Sequence, residues 1–209
     1  MKKIIYLFAI LLLSCNTRND KSEVDECCTC VNMPHGDVLL QPYNDFSQEE
    51  AKQIKEILQV KLNEILNGDF HVNVLPNKTL PKEYLSENKR YRVDKIIESL
   101  SKEANSHKII IGITHHDICL ANYKGKKNWG VLGCSLPPIH KSCIVSDFRL
   151  KNKKRDFWRV ITHEFIHTYF EYRHCPKDDP KCIMKDAKGK ADFSNKVGLC
   201  ETCKEALGL

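Results

Sequence analysis

Residues 163–203 constrain this chain more than any other stretch. His163-Glu164-Phe165-Ile166-His167 places two histidines four residues apart. On a helix that spacing puts both imidazoles on one face, one turn apart, which is a bidentate seat for a divalent metal. Glu164, between them, can reach a water bound to such a metal. His174-Cys175, Cys182-Ile183-Met184 and Cys200-Glu201-Thr202-Cys203 follow. His174 supplies a third imidazole on a return loop. Cys175, Cys182, Cys200 and Cys203 have the chemistry of a second, purely structural zinc site. Disulfides from the same four cysteines are the competing reading. Beyond Thr168 the chain is rich in Lys, Asp, Gly and Cys and has little apolar periodicity. Such a tail cannot build a core by itself, so a metal must hold it.

This donor set points to hydrolysis. Three protein ligands leave a fourth zinc position open for water, whose pKa the metal lowers while it polarises a carbonyl. Glu164 would accept the water's proton and later pass it to the leaving amine. The plainer reading is two partly buried helix histidines beside a surface glutamate. The downstream histidine and the cysteine array argue against it.

With 209 residues, one domain with a real core is expected. Residues 37–40 read as a short strand ended by Pro42. Ser47-Gln48-Glu49-Glu50 is a capping box. Behind it Ala51, Ile54, Ile57, Leu58, Leu62, Ile65 and Leu66 recur at helical period, with Gly68 as the stop. Residues 70–75 alternate like a strand, 76–88 form a loop, and 91–103 a second amphipathic helix. Residues 108–114 (KIIIGIT) are the strongest strand, an unbroken buried run. Residues 123–128 read as a Gly/Lys loop, 129–134 and 143–148 as strands around Pro137-Pro138, and 153–168 as the helix bearing the histidines. The fold class is α/β with a mixed sheet.

The N-terminus reads as a targeting segment. Lys2 and Lys3 precede an apolar run over residues 4–13 that is too short to span a bilayer comfortably. Leu12-Leu13-Ser14-Cys15 resembles the lipobox of bacterial lipoproteins, which implies cleavage before Cys15 and lipidation of its thiol. An ordinary secretory signal is the alternative. The expected organisation is a signal over 1–14, a polar tether over 15–36 and one domain over 37–209. The chain has 11 cysteines. Setting aside Cys15 and the four tail cysteines leaves Cys27, Cys28, Cys30, Cys119, Cys134 and Cys143. Outside the cytoplasm an even remainder suggests disulfides. Cys134 with Cys143 is the easiest pair to imagine, and Cys119 with one of the N-terminal three another. A metal on that N-terminal cluster is the alternative. The net charge of +6 is dispersed and Lys-rich, a solvated surface rather than a nucleic-acid footprint.

Residues 163–203 resemble the signature of the archaemetzincins, a family of the metzincin clan. That family has the two helix histidines and glutamate, a histidine followed by cysteine, a C-x-M step and a final C-x-x-C. Residues 91–100 (YRVDKIIESL) are similar to the family motif in which a tyrosine opens the second helix. The resemblance implies a compact metzincin-like fold, zinc on His163, His167 and His174, a second zinc on Cys175, Cys182, Cys200 and Cys203, Met184 beneath the ligands, and peptidase or aminopeptidase activity. Two departures stand out. Phe170 occupies the position of the metzincin turn glycine, and the third histidine comes one residue late, at His174 rather than at Arg173. A bulky residue disfavours the left-handed turn. The added residue is expected to make a wider turn with no positive φ, with Glu171 as the rival third ligand.

His115-His116 point opposite ways at a strand end, so a cleft-rim or surface role is expected rather than a shared ion. Residues 129–132 (WGVL) fit either an edge strand able to pair with an extended peptide or a plain sheet strand. Tyr169 and Tyr172 are candidate donors to an oxyanion. The expectation is therefore an envelope-anchored, monomeric zinc metallopeptidase with two zinc ions, a peptide or protein substrate and no nucleic-acid partner, tethered to the membrane through Cys15. The alternative is a zinc-stabilised binding protein without catalysis.

Overall fold

In the computed structural model, which describes residues 33–137, 140–188 and 192–209, the chain enters through β1 (His35–Pro42) and α1 (Gln48–Leu66) and returns as β2 (Asp69–Val74). A two-residue strand, β3 (Tyr91–Arg92), leads into α2 (Val93–Ser101), then β4 (Lys108–Thr114) and β5 (Ile118–Tyr123). β6 (Lys126–Val131), β7 (Gly133–Ser135) and β8 (Ser142–Ser146) precede a 3-10 segment over Phe148–Asp156. The chain closes with α3 (Phe157–Tyr169) and α4 (Glu201–Leu207).

Two sheets result. The larger has the order β2-β1-β4-β8-β7, parallel except for β7, which runs antiparallel to β8. The smaller has the order β3-β5-β6. Being apolar on both faces, β4 fits the centre of the large sheet. Ile109, Ile111 and Ile113 pack with α1 and α3, whereas Ile110 packs with Ile96, Ile97 and Leu100 of α2. Burying both faces is what a crossover-connected parallel sheet requires.

The capping box is formed: Glu50 N donates to Ser47 Oγ (3.1 Å) and Ser47 N donates to Glu50 Oε2 (3.0 Å). The stop of α1 falls one residue earlier than expected. Asn67, not Gly68, takes the left-handed conformation (φ 44°), as asparagine tolerates. The expected loop over 123–128 shrinks to Lys124-Gly125, both at positive φ, in a two-residue hairpin closed by Tyr123 and Lys126. The expected helix over 153–168 begins as the 3-10 segment. The tail read as irregular ends in α4.

The cysteine pairing needs correction. Cys134 stands opposite Ile144, and Ser135 opposite Cys143. Side chains alternate across a strand, so the two thiols face opposite sides of the sheet, Cys143 toward α3 and Cys134 toward α2. Among the described residues neither has a disulfide partner, nor does Cys119. The signal segment, Cys15 and the Cys27, Cys28 and Cys30 cluster lie outside the described residues. Among the described residues no helix is long and apolar enough to cross a membrane.

Candidate metal centre

α3 is buried along most of its length, with Phe157, Val160, Ile161, Phe165 and Ile166 in the main core. Packing on several sides holds its backbone rigidly, so the groups it carries are fixed in place. His163 and His167 project from one face, Nε2 to Nε2 at 3.1 Å, with ring centroids 4.6 Å apart. His174 closes the triangle, its ring 5.3 Å from His163 and 4.8 Å from His167. All three ligand nitrogens lie within 4.8 Å of one another.

The hydrogen bonds behind these rings fix their tautomers. His163 Nδ1 lies 2.7 Å from the Ile183 carbonyl and His167 Nδ1 2.5 Å from the Tyr172 carbonyl. A carbonyl can only accept, so both Nδ1 atoms carry hydrogen and both Nε2 atoms present lone pairs. Burial, reinforced by the neighbouring imidazoles, holds His163 well below its ordinary pKa. Burial likewise brings His167 down to about 4, against the Tyr172 carbonyl, which favours its charged form. Two neutral lone pairs 3.1 Å apart repel unless a cation lies between them. Zinc with tetrahedral nitrogen ligands separates them by about 3.3 Å. The donor set therefore fits a divalent zinc-like ion.

Phe170 caps α3 with ordinary backbone angles (φ −92°), and the positive φ falls on Glu171 (φ 54°). This corrects the expected wide turn. The left-handed residue has moved one position downstream, in step with the added residue before His174. The Glu171 side chain pairs with Lys141 Nζ at 2.7 Å and takes no place among the histidines.

Cys175, Cys182, Cys200 and Cys203 converge on a second centre, their sulfurs within 4.8 Å of one another. Cys175 lies 3.6 Å from Cys200 and Cys182 3.7 Å from Cys203, and none is disulfide-bonded. Tetrahedral zinc thiolates place sulfurs about 3.8 Å apart. Burial works against the Cys175 thiolate, but the backbone N–H groups of Asp179 and Lys177 and the neighbouring thiols outweigh it and pull its pKa down.

The two centres share their supports. Tyr172 accepts from His167 through its carbonyl and donates its hydroxyl to Cys203 Sγ (3.4 Å). Ile183, next to Cys182, accepts from His163. Lys196, 2% exposed, donates to the Ile183 and Lys185 carbonyls, and its ammonium lies 4.3 Å from the centre of the Phe193 ring. Burial pushes its pKa down to about 8. Met184 is fully buried, and its carbonyl accepts from Cys175 N (2.8 Å).

Glu164 faces a cleft of about 1240 Å³ that also receives the three histidines. Burial raises its pKa to about 8, against the pull of Ser135. Gly133 lies over it: a Cβ there would come within 2.6 Å of Glu164 Cγ. Trp129, Gly130, Val131 and Leu132 line the same cleft, and β6 is an edge strand. His115 is elsewhere, bonded to Asp147 (2.9 Å) and stacked on Phe46 at 4.4 Å, and His116 lies 3.4 Å from Asp45. Neither lines the cleft, so of the two expected roles, cleft rim or surface, the cleft rim is excluded. Tyr169 donates to the His35 carbonyl at 3.0 Å, so both candidate tyrosine hydroxyls are engaged away from the histidines. The supporting carbonyls of Tyr172 and Ile183 carry no mark in sequence, because any residue supplies a carbonyl. Gly130 and Gly133 in one strand run were the available sign of close approach.

No family model and no curated protein matches the sequence. Solved structures do match. The archaemetzincin of Methanopyrus kandleri aligns over 83% of this chain and 93% of its own, with a TM-score of 0.68 and 21% identity. A zinc-dependent peptidase of Methanocorpusculum labreanum (strain Z) aligns over 82% and 100%, with a TM-score of 0.60 and 18% identity. The archaemetzincin of Archaeoglobus fulgidus, complexed with malonate, aligns over 81% and 98%, with a TM-score of 0.57 and 23% identity. At such identities the likeness is one of fold, and the chain has the fold of the archaemetzincins.

Proposed function

We propose that this protein is a zinc-dependent peptidase, with one zinc on His163, His167 and His174 and a structural zinc on Cys175, Cys182, Cys200 and Cys203. The observation that carries the reading is the pair of neutral Nε2 lone pairs facing each other at 3.1 Å beside a buried carboxylate. When bound, zinc supplies a Lewis acid and lowers the pKa of water.

The chain's own groups do the rest. Glu164 takes a proton from the attacking water and returns it to the leaving amine. Its pKa of about 8 without metal lets it exist in both states near neutral pH. The edge formed by β6 and β7 offers backbone groups to an extended peptide, which would add as a further strand and be held over Glu164. The buried packing of α3 keeps the histidines and Glu164 in fixed register, so little reorganisation accompanies reaction.

Glu164→Gln removes the base and keeps the shape. It should retain zinc at both sites and lower kcat/KM at least about 10³-fold. Elemental analysis and a peptide-cleavage assay on the same samples make the test. Undiminished turnover by the variant would overturn the mechanism. An envelope location, anchored through Cys15, is also proposed, and its support is the N-terminal sequence Leu12-Leu13-Ser14-Cys15 behind Lys2, Lys3 and an apolar run.

A further inference from the structure

One wall of the cleft is built from charge rather than apolar surface. Arg149 Nε and Nη2 each donate to Asp117, at 2.8 Å and 2.8 Å. Arg90 Nε donates to the same carboxylate (2.8 Å), and its Nη1 donates to the Asn128 carbonyl in the hairpin (2.9 Å). Asp117 is thus shared by two guanidiniums, which leaves one positive charge uncompensated. Lys124 and Lys151 line the same cleft. Each guanidinium has five N–H donors, and the Asp117 clamp uses only a minority of them. The side chains of Arg90 and Arg149 are each 33% exposed, and both line the cleft.

The position of this charge along the cleft follows from two glycines. Glu164 sits under Gly133, and the Arg149 guanidinium occupies the space a side chain at Gly130 would need. β6 lies at the margin of the small sheet and β7, one residue further on, at the margin of the large one. Three peptide units with a bend at Leu132 separate the two glycines, at most about 10 Å, and both line the cleft. Both strands already pair antiparallel with their neighbours, β6 with β5 and β7 with β8. A peptide adding antiparallel to this edge runs, in its own N-to-C direction, from Gly133 toward Gly130. The arginines then meet residues on the C-terminal side of the bond above Glu164.

We propose that Arg149 and Arg90 form a carboxylate-reading subsite, selecting peptides with an anionic group about three residues beyond the scissile bond on its C-terminal side. The proposal rests on the peptidase reading above. The shared chemistry is a carboxylate, which an acidic side chain or a free chain terminus can supply. Guanidinium–carboxylate pairs are the strong, geometrically selective class of hydrogen bond. Asp117 fixes the orientation of the fork.

The test uses the zinc-loaded chain and three peptides alike except at that position. One has Glu there and an amidated end. One has Gln as its last residue with a free carboxylate. One has Gln and an amidated end. Cleavage is followed by mass spectrometry, and binding to the Glu164→Gln chain by calorimetry. An anionic peptide should be favoured over the neutral one by about tenfold or more in both readouts. Which of the two anionic peptides leads tells side chain from terminus. Arg149→Met should collapse the ratio toward one. Equal binding of all three peptides overturns the subsite. Selective binding without any cleavage by the wild-type chain overturns the peptidase reading and leaves the subsite standing.

Discussion

A methyl group at Gly133 would lie 2.6 Å from Glu164 Cγ and 2.9 Å from its Oε1. Neither van der Waals radii nor the rigid packing of α3 allows both groups to stay in place. Gly133→Ala should therefore displace the carboxylate while leaving the histidines alone. The expected result is about 100-fold lower turnover, as a misplacement near 1 Å produces, with zinc content unchanged. Turnover equal to wild type would show that the carboxylate position above α3 is not what sets the rate. Glu171 illustrates a different constraint on a single residue. It holds a left-handed backbone (φ 54°) that most side chains avoid, and its carboxylate spends itself on Lys141 instead of a metal. Phe170 fits its position because the left-handed residue of the turn is Glu171.

At the scale of elements, α3 supplies two imidazoles and the tail supplies what orients them. The 182–184 turn gives a thiol to one centre and, through Ile183, a carbonyl to the other. Tyr172 does the same with its two ends. Loss of the four-cysteine centre should thus be felt at the histidines. If both proposed zinc sites are filled, Cys203→Ser is expected to lose the metal of the four-cysteine site and to weaken zinc binding at the histidine site about 10–100-fold, the usual cost of disturbing groups behind a metal ligand. Chelator titration of the variant measures this, and an unchanged histidine-site affinity would show the centres to be independent. β5 and α4 were the elements least visible in sequence. ICLANY alternates poorly and needs β6 beside it to become a strand, whereas ETCKEAL is too short to show a helical period. β4, α1 and α2 were visible because their apolar spacing is long and regular.

For the whole molecule, the buried histidines make the metal-free fold acid-sensitive. His167 titrates near 4 when folded against an ordinary value of 6.5, and His163 is shifted in the same direction. Between those values the unfolded chain binds more protons. The contribution is complete above pH 6.5 and is lost as pH falls toward 4. For His167 alone it amounts to roughly 3 kcal/mol. Denaturant unfolding of the zinc-free protein across that range should show the decline, and a flat profile would refute the neutral, buried assignment. What the sequence determined by itself was the donor set and the main frame. Residue chemistry and helical spacing are local, so His163, Glu164, His167, His174 and the four cysteines could be named, and the apolar runs placed the central strand and the long helices. What only the tertiary structure decided was how distant segments meet. The sheet register sent Cys134 and Cys143 to opposite faces, and the turn at Glu171 delivered His174 to α3. Carbonyls 5 and 20 residues away set the tautomers, and Gly130 and Gly133 opened the cleft wall to Arg149 and Glu164. These depend on backbone geometry and packing between elements remote in the chain, and a linear sequence carries no local record of either.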